Sequence, residues 1–187
     1  MTENEISALD VVGWFSREGC AGAHQAAAAA QGRVDALSLR SAGYSRGGRV
    51  DPSVRGDTTQ WLDRGEPGFI ALTAMFEALR CEVNRDTWLG LRAFELQLAH
   101  YAGRGEGYAR HRDAFPGAEN RRLTAIAYLN PDWDEADGGE LRLHGSPSVD
   151  VAPRLGRLVV FLSERVEHEV LPNRASRLAV TAWYSVR

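Results

Sequence analysis

The sequence predicts a mainly β fold with flanking helices, arranged as an antiparallel barrel or double sheet of the jelly-roll type. Two helical stretches come first, at residues 4–31 and 67–83. From Leu89 onward the hydrophobic pattern has a period of two, and short segments are separated by Pro, Gly, Asp and Asn. Because helices precede a run of short strands, we expect them to pack on one face of a sheet.

The composition predicts one domain over residues 1–187, with a helical segment at 1–33 and a β core at about 89–187. Of the 187 residues, 44% are hydrophobic and 25% are charged, which is ordinary for a chain that buries a core. A net charge of −3 argues against a nucleic-acid partner or an anionic membrane surface. No apolar run approaches the roughly 20 residues that a membrane span needs.

The N-terminal residues and the cysteines bear on the compartment. The chain begins with an acidic segment that has neither the basic start nor the apolar centre of a signal peptide. Cys20 and Cys81 lack the spacing of a zinc or redox motif. We therefore expect a cytoplasmic protein, monomeric, with two free thiols.

The first helical stretch is predicted from spacing and composition. Ile6 and Leu9 are three residues apart, and the run Ala26–Ala30 strongly favours a helix that stops at Gly32. Ser16 is a plausible N-cap residue within this stretch. Residues 34–41 then resemble a first strand.

The segment Ala42–Pro52 is rich in Gly and Arg and predicts a long connection. It is either a plain surface loop or a lid that covers a substrate. Residues 54–62 return to an ordered, partly apolar segment. Within it, Arg55 and Asp57 either fasten the loop or contact the substrate.

The second helix and the later strands are predicted from periodicity. Apolar residues at helical spacing form one face of the helix at 67–83 and are expected to be core: Phe69, Leu72, Met75, Phe76 and Leu79. After the alternating segment that leads into His100 and Tyr101, further strands are expected at 122–130, 140–144, 157–163, 167–171 and 177–186.

His111 and Asp113 form a His-x-Asp pair that predicts a metal site. On an extended strand both side chains point to one face, because side chains alternate with a period of two. A distant His168 can complete the set of two imidazoles and one carboxylate that non-haem Fe(II) oxygenases use. Taken singly, each of these residues is more compatible with a structural role, and it is their ordered combination on predicted strands that favours a metal site. The other histidines, His24, His100 and His144, lack this setting.

The last predicted strand carries an Arg on the face that would line the site. Alternation places Arg177, Ala179, Thr181 and Trp183 on one face. A buried Arg without a partner is costly, so an anionic ligand or an acidic partner is expected beside it. Tyr128, which shares a face with Thr124 and Ile126, could place its hydroxyl on the same anion.

Over residues 34–187 the sequence resembles the Fe(II)- and 2-oxoglutarate-dependent prolyl hydroxylases of the oxygen-sensing type and their bacterial relatives. The matching motifs are Arg55-Gly56-Asp57 with Trp61, Tyr101 before His111, Ile126–Asn130 with Trp133, Gly138–Arg142, Pro153, Phe161–Ser163, His168–Val170, and Arg177 with Thr181–Tyr184.

The resemblance implies a double-stranded β-helix in which His111, Asp113 and His168 bind Fe(II). It also implies that Arg177 and Tyr128 hold the distal carboxylate of 2-oxoglutarate, with Tyr101 beside the co-substrate. Ile126, Leu141, Val170, Thr181 and Trp183 match positions in or near that pocket. Residues 42–54 match a loop that closes over the peptide substrate in this family, which favours the lid.

The implied reaction hydroxylates a prolyl residue of a protein substrate with O2, forms succinate and CO2, and is stimulated by ascorbate. Bacterial relatives suggest elongation factor Tu as that substrate. Two alternatives stay open: the same chemistry on another residue or a small molecule, and a catalytically silent protein that senses iron or 2-oxoglutarate. Nucleic-acid demethylation is disfavoured, because no Arg follows Arg177 until Arg187.

Overall fold

The computed structural model describes residues 4–43, 50–115 and 121–187. Within these ranges the helices are α1 (Asn4–Val11), α2 (Ala23–Asp35) and α3 (Ile70–Asp86), and a short 3₁₀ turn spans Glu135–Asp137. The strands form two antiparallel sheets, as predicted for a jelly roll.

The larger sheet has seven strands. Their spatial order is β1 (Trp14–Arg17), β9 (Leu158–Leu162), β6 (Leu123–Tyr128), β11 (Arg177–Ser185), β4 (Ala93–Tyr101), β3 (Thr58–Leu62) and β2 (Arg40–Ser41).

The smaller sheet has four strands, in the order β5 (Tyr108–His111), β10 (His168–Val170), β7 (Leu141–Leu143) and β8 (Val149–Val151). The two sheets face each other across an apolar layer. Ile126, Tyr128 and Phe161 of the larger sheet belong to the same buried cluster as Leu141 and Leu143 of the smaller one.

The helices cover the other face of the larger sheet. The predicted apolar face of α3 is buried there: Phe76 and Leu79 are fully inaccessible and belong to the same cluster as Leu98 and Tyr184. The Tyr184 hydroxyl donates a hydrogen bond to the Phe76 carbonyl at 2.9 Å, which ties the helix to the last strand. The expectation that helices pack on one sheet is confirmed.

The strands β6 and β11 are largely buried on both faces because each lies between the helices and the smaller sheet. Along β6, Ala125 and Ala127 face the helices, whereas Ile126 and Tyr128 face the smaller sheet. This period of two is the pattern that the sequence predicted. The same alternation along β11 decides which of its side chains point into the space between the sheets.

The prediction of one helical stretch over residues 4–31 was wrong. Gly13 and Gly22 have φ angles of 84° and 79°, which end the first helix and precede the second. Between them the chain forms β1, where Ser16 pairs with Val159 and caps no helix. Pairing with the open edge of β9 outweighs local helix propensity here.

The predicted strand at 34–41 was also largely wrong. The helix α2 continues through Asp35, and only Arg40 and Ser41 pair, with Thr59 and Thr58 of β3. The Ala-rich helix thus extends past Gly32, the residue expected to end it. Leu37, with a φ of 52°, begins the turn into the short strand.

Two further predictions concern the loop and the cysteines. The predicted lid, residues 42–54, includes residues 44–49, which lie outside the described residues, so its covering role stays a prediction. Cys20 and Cys81 are free thiols, as expected. Among the helices of the described ranges, none has the length and apolar character to span a membrane.

Candidate metal centre and active site

The two predicted histidines are brought together by strand pairing at the edge of the smaller sheet. His111 ends β5, His168 begins β10, and the two residues are direct partners in the antiparallel register. Asp113 lies in the bend that follows β5, so the prediction that it continues the strand was wrong. Its Oδ1 atom is nevertheless 3.6 Å from Nε2 of His111 and 3.8 Å from Nε2 of His168.

These three side chains form a cluster with the spacing of a metal centre. One ligand atom from each residue lies within 4.8 Å of the others. The His168 residue is 3% exposed, and the Asp113 side chain is 9% exposed. Two imidazole nitrogens and one carboxylate oxygen therefore converge on one point from two strands and a bend.

The imidazole rings are oriented by their second nitrogen atoms. Nδ1 of His111 lies 2.8 Å from the Ala109 carbonyl, and Nδ1 of His168 lies 3.2 Å from the Val166 carbonyl. A carbonyl only accepts, so each Nδ1 carries the proton and each Nε2 offers its lone pair. The Tyr108 ring stacks on His111 with a centroid distance of 3.6 Å, which holds the ring plane.

The protonation states of the histidine and the aspartate also favour metal binding. Burial lowers the pKa of His168 to about 4, so its imidazole is neutral near pH 7. Burial acts to raise the pKa of Asp113, but the neighbouring His168 and His111 and the Thr124 hydroxyl outweigh it and hold that pKa below its usual range. A neutral imidazole and an ionised carboxylate are the forms that coordinate a cation.

The predicted Arg177 lies behind this cluster and is only 3% exposed. Its Nε donates to the Gly139 carbonyl at 2.7 Å, and its guanidinium lies 5.1 Å from the ring centres of both Tyr101 and Tyr128. Within residues 4–43, 50–115 and 121–187, no carboxylate lies within salt-bridge distance of Arg177. A buried cation of this kind needs an anionic ligand.

The Tyr128 hydroxyl supports the same conclusion. It is buried, and apart from its interaction with the Arg177 guanidinium it has no hydrogen-bond partner among the described residues. Burial, opposed in part by the positive charge of Arg177, raises the pKa of Tyr128 to about 12. The phenol therefore keeps its proton and can donate it to an anion held by Arg177.

A cavity joins the metal cluster to Arg177. Apart from Tyr128, whose ring centre is 5.1 Å from the Arg177 guanidinium, every predicted site residue lines it: His111, Asp113, His168, Arg177, Tyr101, Ile126, Leu141, Val170, Thr181 and Trp183. The alternation predicted for the last strand thus points the expected side chains into the site.

The cavity is also lined by residues whose roles the sequence left open or did not suggest. Arg55 donates to Asp57 at 2.7 and 3.0 Å and to Gln97 at 3.0 Å, and its guanidinium lies 4.8 Å from the Tyr108 ring centre. Arg55 also donates to the Gly43 carbonyl at 3.3 Å, so it both fastens the loop and faces the cavity. Gln97 lies on the same face of β4 as Tyr101, so the alternation of side chains along this strand could have indicated from sequence that Gln97 faces the cavity.

Two of the other histidines, His100 and His144, lie outside the metal cluster, as expected. His100 lies 3.0 Å from the Ser176 hydroxyl, and Nε2 of His144 lies 3.2 Å from a carboxylate oxygen of Glu169. Neither residue lines the cavity between the sheets.

A jelly roll with two His and one Asp beside a buried Arg defines the facial-triad class of non-haem iron oxygenases. Residues 96–185 match the model of the 2OG-Fe(II) oxygenase superfamily. The chain is 34% identical to a Pseudomonas putida prolyl-4-hydroxylase of known structure, with a TM-score of 0.89 and coverage of 99% of this chain and 98% of that one. The chain belongs to the 2OG-Fe(II) oxygenase superfamily, and its relatives there include prolyl hydroxylases, as the resemblance predicted.

Animal relatives show the same likeness. Human Egl nine homolog 1 is 36% identical over 141 residues, which are 70% of this chain and 33% of that protein. A Trichoplax adhaerens prolyl hydroxylase, solved with a hypoxia-inducible-factor peptide fragment, is 25% identical with a TM-score of 0.85, over 98% of this chain and 88% of that one. The chain spans about a third of the length of the human relative.

Proposed function

We propose that this protein is an Fe(II)- and 2-oxoglutarate-dependent dioxygenase that hydroxylates a prolyl residue in a protein substrate and forms succinate and CO2. The observation that carries the proposal is the cluster of His111, Asp113 and His168 in one cavity with the buried Arg177, which has no carboxylate partner among the described residues.

The three donors suit Fe(II). Two neutral imidazoles and one carboxylate are the ligand set of non-haem iron oxygenases, and they leave other positions of the metal open. When bound, Fe(II) with 2-oxoglutarate supplies the activation of O2 that hydroxylation of an unactivated carbon requires. The chain contributes the fixed Nε2 lone pairs and an ionised Asp113.

The anion pocket suits the distal carboxylate of 2-oxoglutarate. Because Nε of Arg177 already donates to Gly139, the terminal nitrogens of the guanidinium are the donors left for a ligand. The protonated Tyr128 hydroxyl would donate a further hydrogen bond, and Tyr101 lies on the cavity wall beside it. Together they would set the co-substrate between Arg177 and the metal cluster.

The walls of the cavity suit a prolyl ring. Tyr108 and Trp183 line it, and aromatic surfaces bind proline well because the ring is rigid and apolar. The same walls would exclude water from the reacting carbon. We take a proline of elongation factor Tu as the first substrate to test, in a monomeric, cytoplasmic enzyme whose turnover ascorbate stimulates.

The proposal is tested by mass spectrometry of proteins from a strain that lacks this chain. The lysate is incubated with Fe(II), ascorbate, 2-oxoglutarate and either the wild-type protein or the His111→Ala variant. We expect a proline-containing peptide to gain one oxygen atom with the wild-type protein alone.

Two other outcomes would replace the proposal. Succinate formation without an oxidised proline would point to another residue or a small molecule. If the protein binds iron but neither succinate nor an oxidised peptide forms, it would be a sensing protein without catalytic activity.

A further inference from the structure

The two carboxylate oxygens of Asp113 have different neighbours. Oδ1 faces Nε2 of both histidines of the cluster, at 3.6 and 3.8 Å. Oδ2 instead accepts a hydrogen bond from the Thr124 hydroxyl at 2.7 Å. One oxygen therefore points to the metal position, and the other is held by the β6 strand.

A second hydroxyl holds the first. The Thr124 hydroxyl lies 2.9 Å from the Ser163 hydroxyl, and both residues are 0% exposed. An ionised carboxylate only accepts, so Thr124 must give its single proton to Asp113. Ser163 must then donate to Thr124, which leaves one possible direction for the whole chain of hydrogen bonds.

Ser163 also holds the backbone beside Asp113. Its carbonyl accepts a hydrogen bond from the amide of Ala114 at 3.2 Å, and its own amide donates to the Arg122 carbonyl at 3.2 Å. The bend that carries Asp113 is thus fastened to the end of β9 through both the side chain and the main chain. Asp113 lies outside a strand, so these hydrogen bonds hold it in place where strand pairing does not.

We propose that the buried hydroxyl pair Thr124 and Ser163 positions Asp113 so that it binds the metal through Oδ1 alone. With Oδ2 occupied, the carboxylate neither turns nor takes a second coordination position, and the positions needed by the co-substrate and O2 stay open. Groups that orient a metal ligand typically change metal affinity by about 10- to 100-fold when they are removed. This inference rests on the metal centre of the proposed function.

The test compares variants that differ by one hydroxyl. Thr124→Val keeps the shape of the side chain and removes the donor, whereas Thr124→Ser keeps the donor and loses a methyl group. The dissociation constant of Mn(II) is measured by calorimetry at pH 7, and Co(II) absorption reports the number of donor atoms. Unfolding in EDTA checks that each variant is folded.

We expect Thr124→Val to bind Mn(II) about 10- to 100-fold more weakly and to show an altered Co(II) spectrum, with Thr124→Ser close to wild type. Ser163→Ala, which keeps the Thr124 proton but removes its support, should lie between them, and it serves as the test if Thr124→Val does not fold. Unchanged Mn(II) affinity and Co(II) spectra in folded Thr124→Val, or in Ser163→Ala if it stands in, would overturn the inference.

The same experiment separates this inference from the proposed function. Wild-type protein that fails to bind Mn(II) would refute the metal centre itself. Tight binding that depends on Thr124, in a protein that oxidises no proline, would support the positioning role and refute the prolyl substrate.

Discussion

Replacing Arg177 with Met separates a ligand-binding role from a structural one. Arg177 is buried, and among the described residues its guanidinium has a carbonyl but no carboxylate as partner. A charge buried without a counter-charge does not stabilise the protein, and apolar replacements of buried charges are often neutral or stabilising. Met has a similar length and adapts to irregular spaces.

Arg177→Met is expected to change the stability of the ligand-free protein little and to weaken 2-oxoglutarate binding strongly. The ligand-free variant loses one hydrogen bond from the charged guanidinium to Gly139, about 1.5–3 kcal/mol, and gains a comparable amount from removing the buried charge, so its free energy of unfolding should stay near wild type. Hydrogen bonds from a charged donor contribute about 1.5–3 kcal/mol each. The loss of two such bonds should weaken 2-oxoglutarate binding by at least about 100-fold.

Denaturant unfolding of the Mn(II)-loaded protein, with and without 2-oxoglutarate, measures both quantities. At a ligand concentration about 100 times the dissociation constant, the wild-type protein should gain about 2.7 kcal/mol, and the variant almost none. Arg174→Met, an exposed position three residues away, is the matched control and should respond like wild type.

A variant that unfolds far more easily without ligand yet keeps its full stabilisation by 2-oxoglutarate would assign Arg177 a structural role. The proposed anion pocket would then lack its cation.

Three further predictions concern neighbouring groups. Because the pKa of Tyr128 is raised in the folded state, its protonated hydroxyl stabilises the fold fully below pH 10, and this stabilisation is lost as the pH rises through about 12. The 22 Lys and Arg residues are all Arg, so no Lys titrates in this range. Wild type should therefore lose up to about 3 kcal/mol relative to Tyr128→Phe between pH 10 and 12 in urea unfolding, and equal losses would contradict the assignment. Asn130→Ala should lower the free energy of unfolding by about 2–4 kcal/mol in the same assay, because the Asn130 amide accepts from the Leu178 amide at 2.6 Å and donates to the Leu178 carbonyl at 3.1 Å. A loss below about 1 kcal/mol would mean that water replaces these two hydrogen bonds. Gly139→Ala would bring a Cβ to 2.9 Å from Cδ of Arg177 and should weaken 2-oxoglutarate binding about tenfold. Gly90→Ala, also at positive φ but in open space, is the control. Similar 2-oxoglutarate affinities in both variants would show that the Gly139 position does not affect Arg177.

The alternating pattern of β11 could be predicted from sequence because it is local. A strand with a period of two must place Arg177, Thr181 and Trp183 on one face, whatever the rest of the chain does. The apolar face of α3 is predictable for the same reason, since Phe76 and Leu79 repeat at helical spacing. The positions of His111, Asp113 and His168 were predicted from their motif and from the family resemblance that contains it.

Only the tertiary structure decided which distant segments meet. Ser16 belongs to a strand because β9 offers an edge, and nothing within residues 4–31 signals a partner at Val159. The hydrogen bonds that join Asp113 to Thr124 and Ser163 likewise cross from a bend to two separate strands. Periodicity and propensity describe neighbours along the chain, whereas pairing and ligand support depend on contacts between residues far apart in sequence.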